Sequence, residues 1–317
     1  MKRFRFAFCL LLITAAFAAC MPPDPIYTAV KDLSFVDPVF RECVLSEARK
    51  NDWEDAGHVV KLHCPNPEGR KIATLEGIQA LSNLRELDFA HNAVSDMSPL
   101  ADLEKLESLN LEDNQISEVP DVLSHYYLTH LSLNHNKIRD VSQISLLQRL
   151  DSLSLASNQL DNVAALQSIP SLRILNLSQN NISDISMLGS LENLSEFDLN
   201  ENQVEDITVL ENFQQLEHLY LADNLIDNVS ALSDLTELRE IDLSNNLLSS
   251  IEPLSNLKAI WRLVLDGNQI EDISPLLDFG ELQSISLRGI DNLPCDTIKQ
   301  LIDEIGPNTV FTDKQCM

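Results

Sequence analysis

Apolar residues recur along most of the chain in a pattern that repeats every 22 residues. Each repeat contains Leu-x-x-Leu-x-Leu-x-x-Asn or a close variant, as in Leu106, Leu109, Leu111 and Asn114. Nine asparagines keep this register: Asn92, Asn114, Asn136, Asn158, Asn180, Asn202, Asn224, Asn246 and Asn268. Within Leu-x-Leu the apolar and polar positions alternate, which predicts a short strand with its leucines inward and the intervening residue outward.

The repeat length predicts how these strands assemble. Ten strand units begin at Leu84, Leu106, Leu128, Leu150, Leu172, Leu194, Leu216, Leu238, Ile260 and Leu282. Because the units are equally long, their strands should stack in parallel about 4.8 Å apart on one face, which we call the concave face. The rest of each repeat is too short for a long helix, so we expect turns and short 3₁₀ segments on the opposite, convex face.

The recurrent leucine, isoleucine and asparagine positions are predicted to be structural. No single repeat buries its own apolar side, so stacked neighbours must supply the missing surface. The asparagine lies where the chain leaves the strand, and its amide is suited to backbone groups of neighbouring turns that would otherwise be buried without partners. These positions are therefore not expected to form a binding site.

Helical patterns flank the repeats. Asp37-Pro38 has the form of a helix start with proline at the first helical position. The apolar residues at helical spacing here are Val36, Phe40, Cys43, Val44 and Ala48. A partial repeat follows, with Val59, Val60 and Leu62 as a capping strand and Ile72, Leu75, Ile78 and Leu81 as its return segment. Beyond the last unit, a helix is predicted from Asp296 to Ile305, ended by Gly306-Pro307.

Composition supports a folded array and excludes two classes of partner. Leucine supplies 54 of the 317 residues and glycine only 8, a bias typical of stacked repeats. The hydrophobic content of 44% is too high for a disordered acidic chain. The formal net charge is −27, and no cluster of Lys and Arg is present to contact phosphates. Nucleic acids and anionic lipid surfaces are therefore excluded as partners.

The first residues have the features of a secretory signal peptide. Lys2, Arg3 and Arg5 precede an apolar run, Phe6 to Phe17, which is too short to be a stable membrane anchor. Small residues then close the run in Ala18-Ala19-Cys20. The sequence predicts export across a membrane and removal of residues 1–19.

The cleavage region resembles the bacterial lipobox. The resemblance implies that Cys20 is diacylated and becomes the first residue of the mature chain. Met21 after it is similar to the outer-membrane sorting pattern of Gram-negative lipoproteins. Ala16-Phe17-Ala18 would also suit an ordinary signal peptidase, which leaves a soluble secreted protein as the alternative.

Four cysteines remain after cleavage and lipidation of Cys20, and four allow three pairings. Cys43 and Cys64 precede the repeats, whereas Cys295 and Cys316 follow them. Pairing within each end is the only arrangement that need not join opposite ends of a long array. We therefore predict disulfides Cys43–Cys64 and Cys295–Cys316, each contributing about 3 kcal/mol in the loop-entropy model and requiring an oxidising compartment. A metal site is the competing interpretation, but it lacks a short Cys-x-x-Cys spacing.

The repeat resembles a known family. After the strand signature come an aliphatic residue, then Asp-Ile or Asp-Val, then Leu, as in Ile182, Asp184, Ile185 and Leu188. This pattern is similar to the leucine-rich repeats of bacterial internalin-type proteins. The predicted fold class is an α/β leucine-rich repeat solenoid, with a parallel β-sheet on the concave face, 3₁₀ segments and turns on the convex face, and helical caps stapled by disulfides. The resemblance implies adhesion or recognition of a protein.

No nucleophile, base or phosphate-binding motif has a fitting context, so an enzyme is not expected. His91 and His135 share a repeat column but lie two repeats apart, about 10 Å, which is too far for one ion. Acidic residues recur four positions after the ladder asparagine, at Asp96, Asp140, Asp184, Asp206 and Asp272. Calcium binding is one interpretation of this column. Hydrogen bonding to the adjacent turn is favoured, because Asn and Ser also occupy the column. No metal or cofactor is predicted.

Binding is assigned to the outward third and fifth residues of the strand units. Acidic residues accumulate toward both ends of the array, with Glu86, Asp88 and Glu112 at the first end. The candidate binding residues lie in units six to nine: Glu196, Asp198, His218, Tyr220, Glu240, Asp242, Trp261, Arg262 and Val264. Tyr, Trp and Arg often anchor interfaces, and acids around them suit a protein partner with a basic surface. The alternative is that Trp261 packs near the C-terminal cap and that the acids serve solubility.

The sequence therefore predicts five segments. They are a signal peptide (1–19), a lipid-anchored linker (20–34), an N-terminal cap with a partial repeat (35–83), leucine-rich repeats (84–292) and a C-terminal cap (293–317). The expected function is a monomeric, non-enzymatic protein-binding module on the bacterial cell envelope, held at the outer membrane through the N-terminal lipid alone. The alternatives are a periplasmic scaffold for another envelope protein, and a glycan or calcium-dependent binder.

Overall fold

Twelve short strands form one parallel sheet in the computed structural model, which describes residues 28–66, 69–120, 127–306 and 309–316. The strands follow one another in chain order: β1 Lys61–His63, β2 Glu86–Asp88, β3 Ser108–Asn110, β4 His130–Ser132, β5 Ser152–Ser154, β6 Ile174–Asn176, β7 Glu196–Asp198, β8 His218–Tyr220, β9 Glu240–Asp242, β10 Arg262–Val264, β11 Ser284–Ser286 and β12 Val310–Phe311. Helices α1 (Pro38–Asn51) and α2 (Cys295–Ile305) flank them. The predicted signal peptide 1–19 and Cys20 lie outside the described residues.

Each strand from β2 to β11 is three residues long, with a buried central residue between two outward ones. Neighbouring strands pair with identical positions opposite each other, as Leu153 and Leu175 do between β5 and β6. The buried residues join one continuous core that runs from Val30 to Val310. This architecture confirms the predicted α/β solenoid.

Short 3₁₀ segments occupy the convex side, as predicted. They include Ser98–Leu100, Ser142–Leu146, Ala164–Ser168, Ser186–Ser190, Thr208–Asn212, Ser230–Leu232, Glu252–Asn256 and Ser274–Asp278. The acidic residues four positions after each ladder asparagine lie just before these segments and accept hydrogen bonds from their first amides. The Ser186 amide donates to Asp184 Oδ1 at 2.9 Å, and the Thr208 amide donates to Asp206 Oδ1 at 2.9 Å. These acids therefore cap turns, which is the role that the sequence favoured.

The ladder asparagines are buried and hold adjacent repeats together. Asn180 Nδ2 donates to the carbonyl oxygens of Leu155, Leu177 and Ser178 at 3.0, 3.0 and 3.1 Å, and its Oδ1 accepts from the Leu160 amide at 3.0 Å. The same four bonds recur from Asn92 to Asn268. One side chain thus bonds four backbone groups of two repeats, and consecutive asparagines share carbonyls: Leu155 O also accepts from Asn158 and Leu177 O also accepts from Asn202.

The residue before each ladder asparagine adopts a left-handed conformation. Its φ lies between 50° and 60° at His91, Asp113, His135, Ser157, Gln179, Glu201, Asp223 and Asn245. Gly267 takes this position in the ninth unit with a φ of 69°. There a Cβ would lie 2.3 Å from Asn245 Oδ1, so glycine also relieves a close approach.

Helix α1 closes the first end of the solenoid. Asp37 caps it: Oδ1 accepts from the amides of Val39 at 2.7 Å and Phe40 at 3.1 Å, and Oδ2 accepts from the Ala73 amide at 2.7 Å. Burial raises the pKa of Asp37, but these hydrogen bonds outweigh burial and the pKa is lowered. The Phe40 ring packs edge-on against Phe89 with centroids 5.1 Å apart. One carboxylate thus joins the helix to the first return segment.

Both predicted disulfides are present. Cys43–Cys64 links α1 to the residue after β1, and Cys295–Cys316 links the start of α2 to the C-terminal residues, each with a sequence separation of 21. Helix α2 ends at Gly306 as predicted, while Pro307 lies outside the described residues. Neither α1 nor α2, nor any other described helix, has the length and apolar character needed to cross a membrane.

The outermost elements differ from the predicted pattern. Strand β1 begins at Lys61 rather than Val59, because the Val59 amide closes the preceding 3₁₀ turn by donating to Ala56 O at 3.2 Å. Val36 precedes α1 and is 72% exposed, so it does not share the buried helix face. Strand β12 lies outside the 22-residue period, and the sequence pattern did not predict it. It pairs with β11 through Ile285–Val310 and Ser286–Phe311.

Replacing one ladder asparagine should destabilise the solenoid. In Asn180→Ala the Leu160 amide loses its acceptor, and three carbonyls each lose one of their two donors, so we expect the free energy of unfolding to fall by about 1–3 kcal/mol. Asn181→Ala is the matched control, because Asn181 is exposed and its backbone amide makes the bond to Leu160 O at 2.8 Å. Urea unfolding followed by circular dichroism measures both variants. Equal losses would contradict the role of the ladder.

Candidate functional site

Eight of the nine predicted binding residues form two rows on four adjacent strands, β7 to β10. The third-position row contains Glu196, His218, Glu240 and Arg262, and the fifth-position row contains Asp198, Tyr220, Asp242 and Val264. Parallel pairing without slippage places consecutive members of a row about 4.8 Å apart. The structure therefore brings these residues together on the concave face.

Trp261 lies at the margin of these rows. It immediately precedes β10, is 36% exposed, and its amide donates to Arg239 O at 2.9 Å. In the same column the preceding repeats carry Glu217 and Arg239, whose side chains form an ion pair at 3.4 Å. The indole thus borders the site beside β10.

Glu240 is the centre of the contacts in these rows. Arg262 Nη1 donates to Glu240 Oε1, and His218 Nδ1 lies 3.6 Å from Glu240 Oε2. The Glu240 side chain is only 15% exposed, whereas those of His218 and Arg262 are 34% and 37% exposed. His218 Nδ1 is itself buried without a hydrogen-bond partner among the described atoms. Glu240 therefore engages Arg262 by a hydrogen bond, and His218 lies beside it without one.

Tyr220 is surrounded by negative charge. Burial, the charges of Glu240 and Glu196, and a hydrogen bond to Glu240 together raise the pKa of the Tyr220 phenol to about 12, although Arg262 opposes the shift. The phenol consequently stays protonated at neutral pH. It offers a ring face and a hydroxyl donor rather than a base.

The two aspartates of the fifth-position row have a second role. Asp198 Oδ1 accepts from the Asn200 amide at 3.0 Å, and Asp242 Oδ1 accepts from the Ser244 amide at 3.0 Å. Asn176 makes the equivalent bond in β6, so this position requires an acceptor but not a charge. This role was not predicted from the sequence, although Asp and Asn recur at the fifth position of the strand units.

Asp198 is held in an unfavourable electrostatic environment. Burial raises its pKa, and the charges of Glu196 and Asp242 raise it further, against the hydrogen bonds from Asn200 and Ser178. Among the described residues, no Lys or Arg lies within ion-pair distance of Glu196, Asp198 or Asp242. We call these three residues the acidic tract. A cation placed over the tract would relieve this repulsion.

The acidic group at the first end of the sheet differs from the acidic tract. Lys61 Nζ lies 2.6 Å from Glu86 Oε1, and His63 Nδ1 lies 2.7 Å from Asp88 Oδ2. Both basic residues come from β1, the strand that the sequence placed two residues too early. Glu86 and Asp88 therefore already have basic partners, unlike the residues of the acidic tract.

The histidine and aspartate columns do not assemble a metal site in the described part of the chain. His91 Nδ1 lies 3.0 Å from Asp113 Oδ2, an exposed pair in the left-handed column. No group of three or more His, Cys, Asp or Glu side chains with suitable geometry occurs among the described residues.

Two residues beyond the rows, Phe311 and Arg288, were not predicted from the sequence. Phe311 of β12 continues the fifth-position row past Val264 and Ser286, and it is 41% exposed. The Arg288 guanidinium lies 5.6 Å from the centroid of its ring. A period of 22 residues could not reveal Phe311, because β12 follows α2 rather than a repeat.

Removing the charge at position 240 should change the titration of Tyr220. In Glu240→Gln we expect the Tyr220 pKa to fall from about 12 toward its ordinary value of 10, because burial remains but the charge of Glu240, which raises the pKa, is lost. Carbon-13 NMR of the tyrosine ring carbons measures this pKa, with Tyr220→Phe assigning the signal. The exposed convex-side variant Glu252→Gln should leave it unchanged. A Tyr220 signal that titrates identically in wild type and Glu240→Gln would contradict the geometry.

Comparison with known proteins identifies the repeats. Leucine Rich repeats (2 copies) match residues 82–125, 170–212 and 214–256, and Leucine rich repeat matches residues 126–182. No curated protein sequence matches the chain significantly.

Solved structures extend the likeness to nearly the whole chain. An internalin, InlF, from Listeria monocytogenes is 24% identical, with a TM-score of 0.61 over 92% of this chain and 98% of that one. Internalin C2 of the same organism is 27% identical, with a TM-score of 0.51 over 82% and 97% of the two chains. The functional domain of its InlJ is 20% identical, with a TM-score of 0.69 over 90% and 70%. The chain therefore belongs to the leucine-rich repeat family, and its solenoid is internalin-like.

Proposed function

We propose that this chain is a non-enzymatic protein-binding module of the bacterial envelope, and that it binds a partner with a basic surface on the concave face of β7 to β10. The observation that carries the proposal is the acidic tract: three carboxylates on adjacent rows without a cation, beside Tyr220 and Arg262. Solenoids of this family generally act as binding scaffolds, and their extended concave faces are the usual contact surface. Exposed acids around aromatic and arginine side chains complement a basic protein surface.

The side chains of the site are suited to binding rather than to reaction. The Tyr220 phenol stays protonated, and Glu240 is engaged by Arg262, so neither group is poised as a base. Tyr220 and Trp261 instead supply partly exposed rings that bury apolar area against a partner. The net charge of −27 disfavours a nucleic acid or an anionic membrane as that partner. The module acts as a monomer and needs no cofactor.

Neutralising the acidic tract should weaken binding of a basic probe. The triple variant Glu196→Gln, Asp198→Asn and Asp242→Asn removes three charges but keeps the acceptors that cap the strand ends, as Asn176 does naturally. The probe is a fluorescein-labelled peptide with three lysines and no aromatic residue. At about 0.2–1 kcal/mol per exposed pair, we expect its affinity to fall about tenfold by fluorescence anisotropy at physiological salt.

A matched variant separates the tract from net charge. Glu205→Gln, Asp227→Asn and Glu271→Gln removes three charges from exposed residues outside the strands. We expect this variant to bind the probe nearly as wild type does and to melt at the same temperature. The tract variant should melt at the wild-type temperature or above it, because it removes the like-charge repulsion at Asp198. Equal weakening in the two variants would assign the attraction to total charge and overturn the placement of the site.

The envelope tether is proposed from the lipobox at Cys20. Cells grown with labelled palmitate should incorporate it into the wild-type protein and not into Cys20→Ala, and loss of the lipid should release the protein from the membrane fraction. A non-penetrating protease applied to intact cells then tests orientation. Digestion places the concave face outside the cell. Protection that disappears on permeabilisation would favour the alternative, a periplasmic scaffold.

A further inference from the structure

The last three strands of the concave face form an apolar slot. In the fifth-position row, Ser286 of β11 lies between Val264 of β10 and Phe311 of β12. Val264 is partly buried and Phe311 is 41% exposed. Two strand spacings separate these walls, about 10 Å between Cα atoms. A serine fills little of that width, so the row has a gap between two apolar side chains.

In β11 the third-position row also carries a small side chain. Ser284 lies opposite Arg262, so both outward residues of β11 are serines. Trp261 is 36% exposed at the near margin of the slot. We define the slot by Ser284 and Ser286 as its floor and by Val264 and Phe311 as its walls. Two strand spacings between the Cα atoms of the walls leave room for one aromatic or branched aliphatic side chain.

The chain does not supply the occupant from its described C-terminal residues. Lys314 Nζ donates to Asp291 O at 3.1 Å and also to Leu293 O, and Cys316 is bonded to Cys295 of α2. These contacts hold the segment after β12 against α2 and the turn before it. The described residues Lys314 and Cys316 are therefore engaged away from Ser286.

Charge distinguishes the acidic tract from the slot. The tract carries three carboxylates over β7 to β9, whereas the four slot residues are uncharged and the Arg288 guanidinium lies 5.6 Å from the Phe311 ring centroid. A basic segment is attracted to the tract, and the slot residues offer no carboxylate that competes for it. A partner with basic side chains is thereby oriented, with its apolar side chain toward β12.

We propose that the concave face recognises a two-part segment of the partner protein, with basic side chains over the acidic tract and one aromatic or branched aliphatic side chain in the slot. The proposal rests on the proposed function and specifies its partner. Tyr220 in the middle of the tract and Ser286 in the slot are three strand spacings apart, about 14 Å. An extended segment spans this distance in about four residues at about 3.3 Å per residue.

Two defined peptides test the slot. One is the three-lysine probe described above, and the other replaces an alanine, four residues beyond the middle lysine, with tryptophan. Burying one aromatic side chain should tighten binding about tenfold or more by fluorescence anisotropy. Moving the tryptophan next to the lysines should remove most of this gain.

Matched variants assign the gain to the slot. Ser286→Phe fills the slot and should abolish the gain, and Phe311→Ser removes one wall and should reduce it. Ser132→Phe makes the same change at the fifth position of β4, outside both regions, and should preserve the gain. Thermal melting of each variant checks folding.

The outcomes separate the two proposals. A gain that survives Ser286→Phe, or that Ser132→Phe abolishes equally, overturns the slot. If the lysine probe depends on the acidic tract but tryptophan adds nothing, the slot is wrong and the proposed function stands. If neither peptide binds wild type, the basic-partner function fails and the slot proposal fails with it.

Discussion

The buried amide of the ladder asparagine is the interaction on which the rest of the structure depends. Each one satisfies four backbone groups from two neighbouring repeats, and no other side chain offers both donors and an acceptor in that geometry. Its bonds fix the chain path just after the strand, including the left-handed residue before it. The bonds recur in nine successive repeats of 22 residues, so the same backbone path and the same strand register are kept along the array.

The constant repeat length determines which outward side chains are neighbours. Residues 22 positions apart lie side by side on the concave face, so His218, Glu240 and Arg262 meet although they belong to different repeats. Such partly exposed pairs contribute little to folding stability compared with the buried leucines and asparagines. The outward rows can consequently change without loss of the fold, and recognition is carried by positions on which the scaffold does not depend.

The repeat and its ends differ in how far the sequence could predict them. The strands, the 3₁₀ segments, the helix start at Asp37 and both disulfides follow from local patterns or from the array's length, and the structure confirms them. Strand β12 lies outside the 22-residue period, so the sequence pattern predicted neither this strand nor the place of Phe311 in it. The sequence placed eight site residues in the correct rows. It could not show that Glu240 is already engaged, because side-chain orientation decides which of several nearby partners is contacted.

The acidic residues of this chain differ in the direction in which folding shifts their pKa values. On the convex side, the hydrogen bonds from Ser186 to Asp184 and from Thr208 to Asp206 lower the pKa, so the folded chain favours these charges. Burial and like charges raise the pKa of Asp198, so ionising it at neutral pH opposes folding. A fold tolerates such a charge most readily where a ligand compensates for it. A basic side chain over the acidic tract would reduce the repulsion among its three carboxylates. Binding there would therefore stabilise the folded state.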